Sequence, residues 1–179
     1  MAAYTVIDDP SAHFQIMTYV GSSGGADPAD GSTASFTFGG NSDLKPDWMW
    51  FKGRNYANDW TCWDSTNGFG SNGDEENGGM ALSVTGAEGS AIWGTAANYG
   101  YVKSFDTDGF TGETGAIGAA GRATWGYASQ CLAFGWKANG GTTSTNSDGD
   151  INSSVQANTD AGFSITSYSP SNDTARNIG

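Results

Sequence analysis

The chain has 179 residues, among them 28 Gly, only 4 Pro, 7 Trp, 7 Tyr and 9 Phe. That length fits one domain with a short extension and buries a core without staples; the aromatic content excludes a disordered chain, and the aperiodic Gly excludes a collagen-like one. Seven Lys+Arg against 19 Asp+Glu give a net charge of -12, which repels phosphate backbones and argues against nucleic-acid binding.

No stretch approaches the roughly 20 apolar residues that span a bilayer, so membrane insertion is not expected. The opening Met1-Ala-Ala-Tyr-Thr-Val-Ile-Asp-Asp9 has neither the basic region nor the apolar centre of a secretory signal. The expectation is a protein made in the cytosol that reaches the outside by lysis.

Taken in order, strand-like runs fall at His13–Val20, Ala34–Phe38, Asp47–Gly53, Trp60–Trp63, Met80–Thr85, Tyr99–Phe105, Ala123–Trp136 and Gly162–Tyr168. Asn-Gly pairs at Asn67, Asn72, Asn77 and Asn139, and Asp-Gly pairs at Asp30, Asp108 and Asp148, supply turn residues that tolerate positive φ. Short strands separated by such turns predict an all-β sandwich or barrel. In Asp47–Gly53, Trp48, Trp50 and Lys52 share one face while Met49 and Phe51 share the other. Large apolar groups on both faces predict a central strand covered on both sides. Pro46 stands just before it, where a missing N–H costs least.

Ala138 to Thr159 is rich in Asn, Gly, Ser, Thr and Asp, with Ile151 and Val155 as the apolar exceptions that would pin a short strand. Phe163-Ser-Ile-Thr-Ser-Tyr168 then echoes Phe14-Gln-Ile-Met-Thr-Tyr19. The echo predicts a module over 1–140, a polar linker or edge excursion over 141–161, and over 162–179 the first strand of a second, truncated module or a closing strand of the first. Cys62 and Cys131 sit among aromatic and small apolar residues, the setting of buried reduced thiols rather than of a bridge.

Several segments resemble a group of marine bacteriophage virion proteins: Thr5–Phe14, Gly40–Lys52, Ser104–Thr111, Phe134–Gly141 and Asn152–Tyr168. Trp136-Lys137 followed by the Asn-Gly stretch is the most telling of them. Between Phe69 and Tyr101 the likeness is poor. The resemblance implies tandem modules with the concanavalin A-like jelly-roll β-sandwich fold, and a structural or surface-binding role on a phage particle. It carries over no catalytic set.

The residues themselves offer few reactive groups. A glycan-cleaving jelly roll places two carboxylates on one face of a Glu-x-Asp-x-Glu strand. Here the acidic run Asp74-Glu75-Glu76 is consecutive and flanked by Gly and Asn, so a solvated loop is expected. His13, the only histidine, reads as an ordinary strand side chain. Calcium would find oxygen ligands at Asp106 and Asp108, or at Asp148 and Asp150, although Asp-x-Asp-Gly is also plain turn chemistry. The aromatics are the better binding candidates. Trp60, Trp63 and Trp93 are the candidate contacts for a glycan or a protein partner, whereas Trp50, Trp125 and Trp136 lie in strand-like runs and read as core.

The expectation is therefore a non-enzymatic virion structural protein, a homo-oligomer attached to phage capsid or tail proteins as a decoration, head-fibre or tail-fibre component. A carbohydrate-binding adhesin for host surface polysaccharide is the alternative, and a glycan-degrading enzyme the weaker one.

Overall fold

The structure, a computed structural model, describes residues 7–21, 32–55, 60–66, 79–82, 100–114, 130–170 and 176–179. Among these residues, a 3-10 turn at Pro10–Ala12 is followed by the strands β1 Phe14–Val20, β2 Thr33–Phe36, β3 Trp48–Gly53, β4 Thr61–Asp64, β5 Gly79–Ala81, β6 Tyr101–Asp106, β7 Gly109–Glu113, β8 Gln130–Trp136, β9 Ser144–Asn146, β10 Ser153–Asn158 and β11 Phe163–Tyr168. The protein is all-β, with antiparallel sheets packed as a sandwich. The turn at Pro10 starts as physics predicts: Asp9 caps it by accepting from the Ser11 N–H, and Pro10 occupies its first position.

A five-stranded sheet runs β1-β8-β3-β4-β5 and a three-stranded sheet runs β2-β7-β6. The core lies between them. Met49, Phe51, Trp63, Cys131, Ala133 and Tyr19 project from the larger sheet onto Val102, Phe105 and Phe110 of the smaller. Alternation explains the division of labour in β3, where Met49 and Phe51 are wholly buried while Trp48 and Trp50 are only half-buried on the opposite face. Flanked by β8 and β4, β3 is central, as its two apolar faces predict.

The β6–β7 hairpin turns at Thr107–Asp108, with Gly109 following at φ 113. A Cβ on Gly109 would stand 1.9 Å from the Phe36 carbonyl oxygen, so both the conformation and the close approach of β2 demand glycine. β7 itself is not among the strands read from the sequence. At Asn139–Thr142, Gly140 and Gly141 both take positive φ and the Thr142 N–H closes onto the Asn139 carbonyl, which is the turn that Asn139-Gly140 predicts.

The third sheet, β11-β10-β9, is the main departure from the sequence reading. Residues 141–161 carry two strands, β9 and β10, where the composition suggests a linker or edge excursion. Of the two apolar exceptions, Val155 sits within β10 and Ile151 forms a parallel bridge with Ile178. The echo of β1 in β11 extends to side-chain direction only on one face. Phe14 and Phe163 both reach Trp136, whereas Tyr19 is 9% exposed and Tyr168 is 49% exposed.

Candidate functional site

The register of the five-stranded sheet aligns a row of aromatics on its outer face, away from the core. Phe14, Trp136 and Trp48 stand opposite one another, as do Ile16, Phe134, Trp50 and Cys62. Ring centroids are 4.8 Å apart for Phe14–Trp136, 5.1 Å for Trp136–Trp48 and 4.8 Å for Trp48–Trp50. Trp60 joins the row edge-on to Trp50 at 6.2 Å. These are the tilted and edge-to-face arrangements that ring quadrupoles favour. Every ring in the row is half-buried. Beside them Ile16 is 54% and Val20 59% exposed, so β1 adds aliphatic surface to the same face. The indole N–H of Trp50 is buried with no hydrogen-bond partner.

One end of this face is covered by β11. Phe163 stacks on Trp48 at 5.8 Å and on Trp136 at 6.1 Å, with both ring pairs nearly parallel. Next to this contact lies a cleft of about 410 Å³, walled by β11 and floored by Trp48, Asp64, Thr66 and Met80. A smaller recess of about 290 Å³ lies on the other side of Phe163, against His13 and Pro10.

Buried polar side chains hold the turns that frame this face. The Asp47 carboxylate, 1% exposed, accepts from the Ser65 hydroxyl and from the N–H groups of Ala138 and Gly140. Gln156, fully buried, accepts from the N–H groups of Asn139 and Gly141 and donates to the hydroxyls of Ser65 and Thr66. Asn158 donates to His13 Nδ1 at 2.9 Å and to the Lys137 carbonyl, and accepts from the Ala161 N–H. On either side of His13 along the chain, Gln15 ties Ser11 to Gly40 and Ser42, and Asp9 accepts from the hydroxyls of Ser11 and Ser42. Those hydroxyls hold the Asp9 carboxyl below its ordinary value of 3.8.

The structure divides the tryptophans named from the sequence. Trp60 takes its place in the outer row. Trp63 is 4% exposed in the core, edge-on to Phe51, which removes it as a surface contact: β4 pairs in a register that sets Trp63 opposite Met49 on the inner face. Trp50 and Trp136, read as core, prove to be half-buried members of the outer row. Trp93 and Trp125 lie outside the described residues, as does Asp74-Glu75-Glu76.

Three of the four aspartates named for calcium use their carboxylates to accept hydrogen bonds within the fold. Asp106 accepts from Ser104 and Thr111, Asp108 from the Leu44 N–H, and Asp150 from the Asn177 N–H; the Asp148 N–H donates to Asn146. Among the described residues no three of His, Cys, Asp and Glu are grouped to hold a metal. Cys62 and Cys131 are both buried and reduced. They project from opposite faces of one sheet, Cys62 beside Trp50 and Cys131 opposite Tyr19, so they cannot bridge. Burial raises the Cys131 thiol to about 11.

Of the row's members the sequence singles out only Trp60 as a contact and reads Trp50 and Trp136 as core, because the face is assembled only by the β1-β8-β3-β4 register. Gln156 carried no signal at all, since a glutamine in a Ser- and Asn-rich stretch looks like surface.

No curated protein and no solved structure matches the chain. One family model, described as a domain of unknown function, matches residues 9–179. The match begins at the capping Asp9 and takes in every strand and clamp described above: the chain belongs to the DUF7483 family.

Proposed function

We propose that the protein is a non-enzymatic structural module of a bacteriophage particle, a concanavalin A-like sandwich attached to capsid or tail proteins and working by assembly. One structural observation carries the reading. A strongly acidic chain, net charge -12, leaves Ile16, Val20 and the Trp50–Trp60 pair at the outer face of its largest sheet. Exposed apolar surface of this kind on an otherwise hydrophilic protein marks an interaction face. The likeness of residues 5–14, 40–52, 104–111, 134–141 and 152–168 to phage virion proteins supplies the setting, and copies held close on a particle would gain strength by avidity. A cryo-EM map of the virion produced by the phage whose genome encodes this chain tests the proposal. Density on the capsid lattice or at the tail supports it, and a particle without the chain sinks it.

The half-buried Trp60 favours one second reading, a carbohydrate-binding adhesin in which sugar rings stack on the outer row. Saturable quenching of tryptophan emission by host polysaccharide, lost in Trp60→Ala, is its expected signature. Unchanged emission at saturating polysaccharide would remove it.

A further inference from the structure

Among the described strands, β11 pairs with β10 alone and lies at the edge of its sheet. Among the described residues, the backbone of Phe163–Tyr168 makes no hydrogen bond other than those to β10. All six residues of β11, odd and even alike, line the cleft of about 410 Å³. In a strand, odd and even side chains point to opposite faces. A cleft lined by both therefore runs along the strand's edge, where the unpaired N–H and C=O groups are.

The edge stands over a floor of mixed character, apolar at Trp48 and Met80 and polar at Asp64 and Thr66. Phe163 is anchored on Trp48, and Met80, which is 36% exposed, lies further along the cleft. The six residues of β11 span about 20 Å, long enough to pair with a short added strand. Edges of this kind are normally blunted with Lys, Pro or a bulge. Phe163-Ser-Ile-Thr-Ser-Tyr168 has no such device. Charge selects the occupant of the cleft. The described residues that line it include no Lys, Arg or His; Asp64 is buried and already accepts from the Thr66 N–H, so the preference comes from the field of a chain of net charge -12.

We infer that the free edge of β11 receives an extended, basic polypeptide segment of another protein, which adds as a strand and lays alternate side chains on the Trp48–Met80 floor. Main-chain bonds supply the affinity and the charge supplies the preference, as in other strand-addition sites. The inference stands apart from the particle reading, because it holds for any partner that offers such a segment.

The probe is an eight-residue peptide alternating valine and lysine, added to the full chain at low salt. The expected result is saturable binding with amide exchange slowed at least tenfold at alternate residues of β11. Binding should weaken with added salt. N-methylation of every second peptide amide should abolish it in one register and spare it in the other. Thr166→Pro should also abolish it, with circular dichroism checking the fold; if that variant misfolds, the N-methylated peptides decide. Four results would overturn the inference: no slowing in β11 at millimolar peptide, indifference to N-methylation in both registers, equal binding of a valine–glutamate peptide, or protection of β11 by maltohexaose in place of the peptide.

Discussion

Replacing Gln156 by Met keeps nearly the same volume and removes every polar contact the side chain makes. Gln156 is fully buried, and its amide serves four groups: the N–H of Asn139 at 3.1 Å, the N–H of Gly141 at 2.9 Å, and the hydroxyls of Ser65 and Thr66 at 2.9 and 2.8 Å. The two hydroxyls lose least. Ser65 still donates to Asp47, and Thr66 is half-exposed and turns to water. The two backbone N–H groups lose their only acceptor. An orphaned donor costs about 1–3 kcal/mol when buried; Asn139 is exposed and Gly141 half-buried, which places each near the low end. The expected destabilisation is about 2–3 kcal/mol in urea unfolding, with the slope unchanged. Faster amide exchange at Asn139 and Gly141 should accompany it. Ala157→Ser, at an exposed position of the same strand, should change stability by no more than about 0.5 kcal/mol. A loss below about 1 kcal/mol in Gln156→Met would refute the view that this side chain fastens the third sheet to the sandwich.

Gly109→Ala must accept φ 113 and a Cβ 1.9 Å from the Phe36 oxygen, so we expect a loss of at least about 2 kcal/mol in the same assay; a neutral variant would mean that β2 is free to shift. Neither cysteine should react with a thiol reagent at pH 8 until denaturant is added, and the intact mass should not change on reduction. Because the Cys131 thiol is raised from 9.0 to about 11 by burial, ionising it opposes folding. Stability from this site is full below about pH 9 and is lost as pH rises towards 11, a slope that Cys131→Ala should flatten. The Asp9 carboxyl is lowered by its hydroxyl partners, so its bonds persist above pH 3.8 and break as pH falls through the folded value. An NMR titration of the Asp9 carboxyl should show a midpoint under 3.8; a midpoint at or above that value contradicts the hydrogen-bond network seen at Ser42.

What the sequence reveals about this fold depends on whether a strand is defined by apolar alternation. β3 and β8 are legible because one face of each is wholly buried and the other carries large rings. β10 reads Ser-Ser-Val-Gln-Ala-Asn, and its deepest residue is Gln156. Its burial is driven by hydrogen bonds, which leave no period in hydropathy. β7 is Gly-Phe-Thr-Gly-Glu, with one large apolar side chain, and only the Asp108-Gly109 pair before it signals a hairpin. The outer row is hidden for a different reason. Periodicity says that Trp48 and Trp50 share a face, but which strands lie beside them and what covers that face are set by register and by β11. The same ignorance of register misplaced Trp63, since a slip of one residue exchanges inner and outer faces.

The stretch Trp136-Lys137-Ala138-Asn139-Gly140-Gly141 is tied from two directions. Asp47, just ahead of β3, takes the N–H groups of Ala138 and Gly140; Gln156 on β10 takes those of Asn139 and Gly141. Four successive N–H groups are thus divided between two buried acceptors, which are themselves linked through the Ser65 hydroxyl. Asp47→Asn tests this arrangement. An amide oxygen still serves Ala138 and Gly140, but its NH2 then faces Ser65, which already accepts from Gln156, and the serine proton loses its carboxylate. Replacing charge-assisted bonds by neutral ones should cost about 2 kcal/mol. Because both side chains act on Ser65 and on one turn, Asp47→Asn and Gln156→Met should not add. A double-mutant cycle in urea should return a coupling of about 0.5–3 kcal/mol. Strict additivity would show that the two acceptors hold the turn independently.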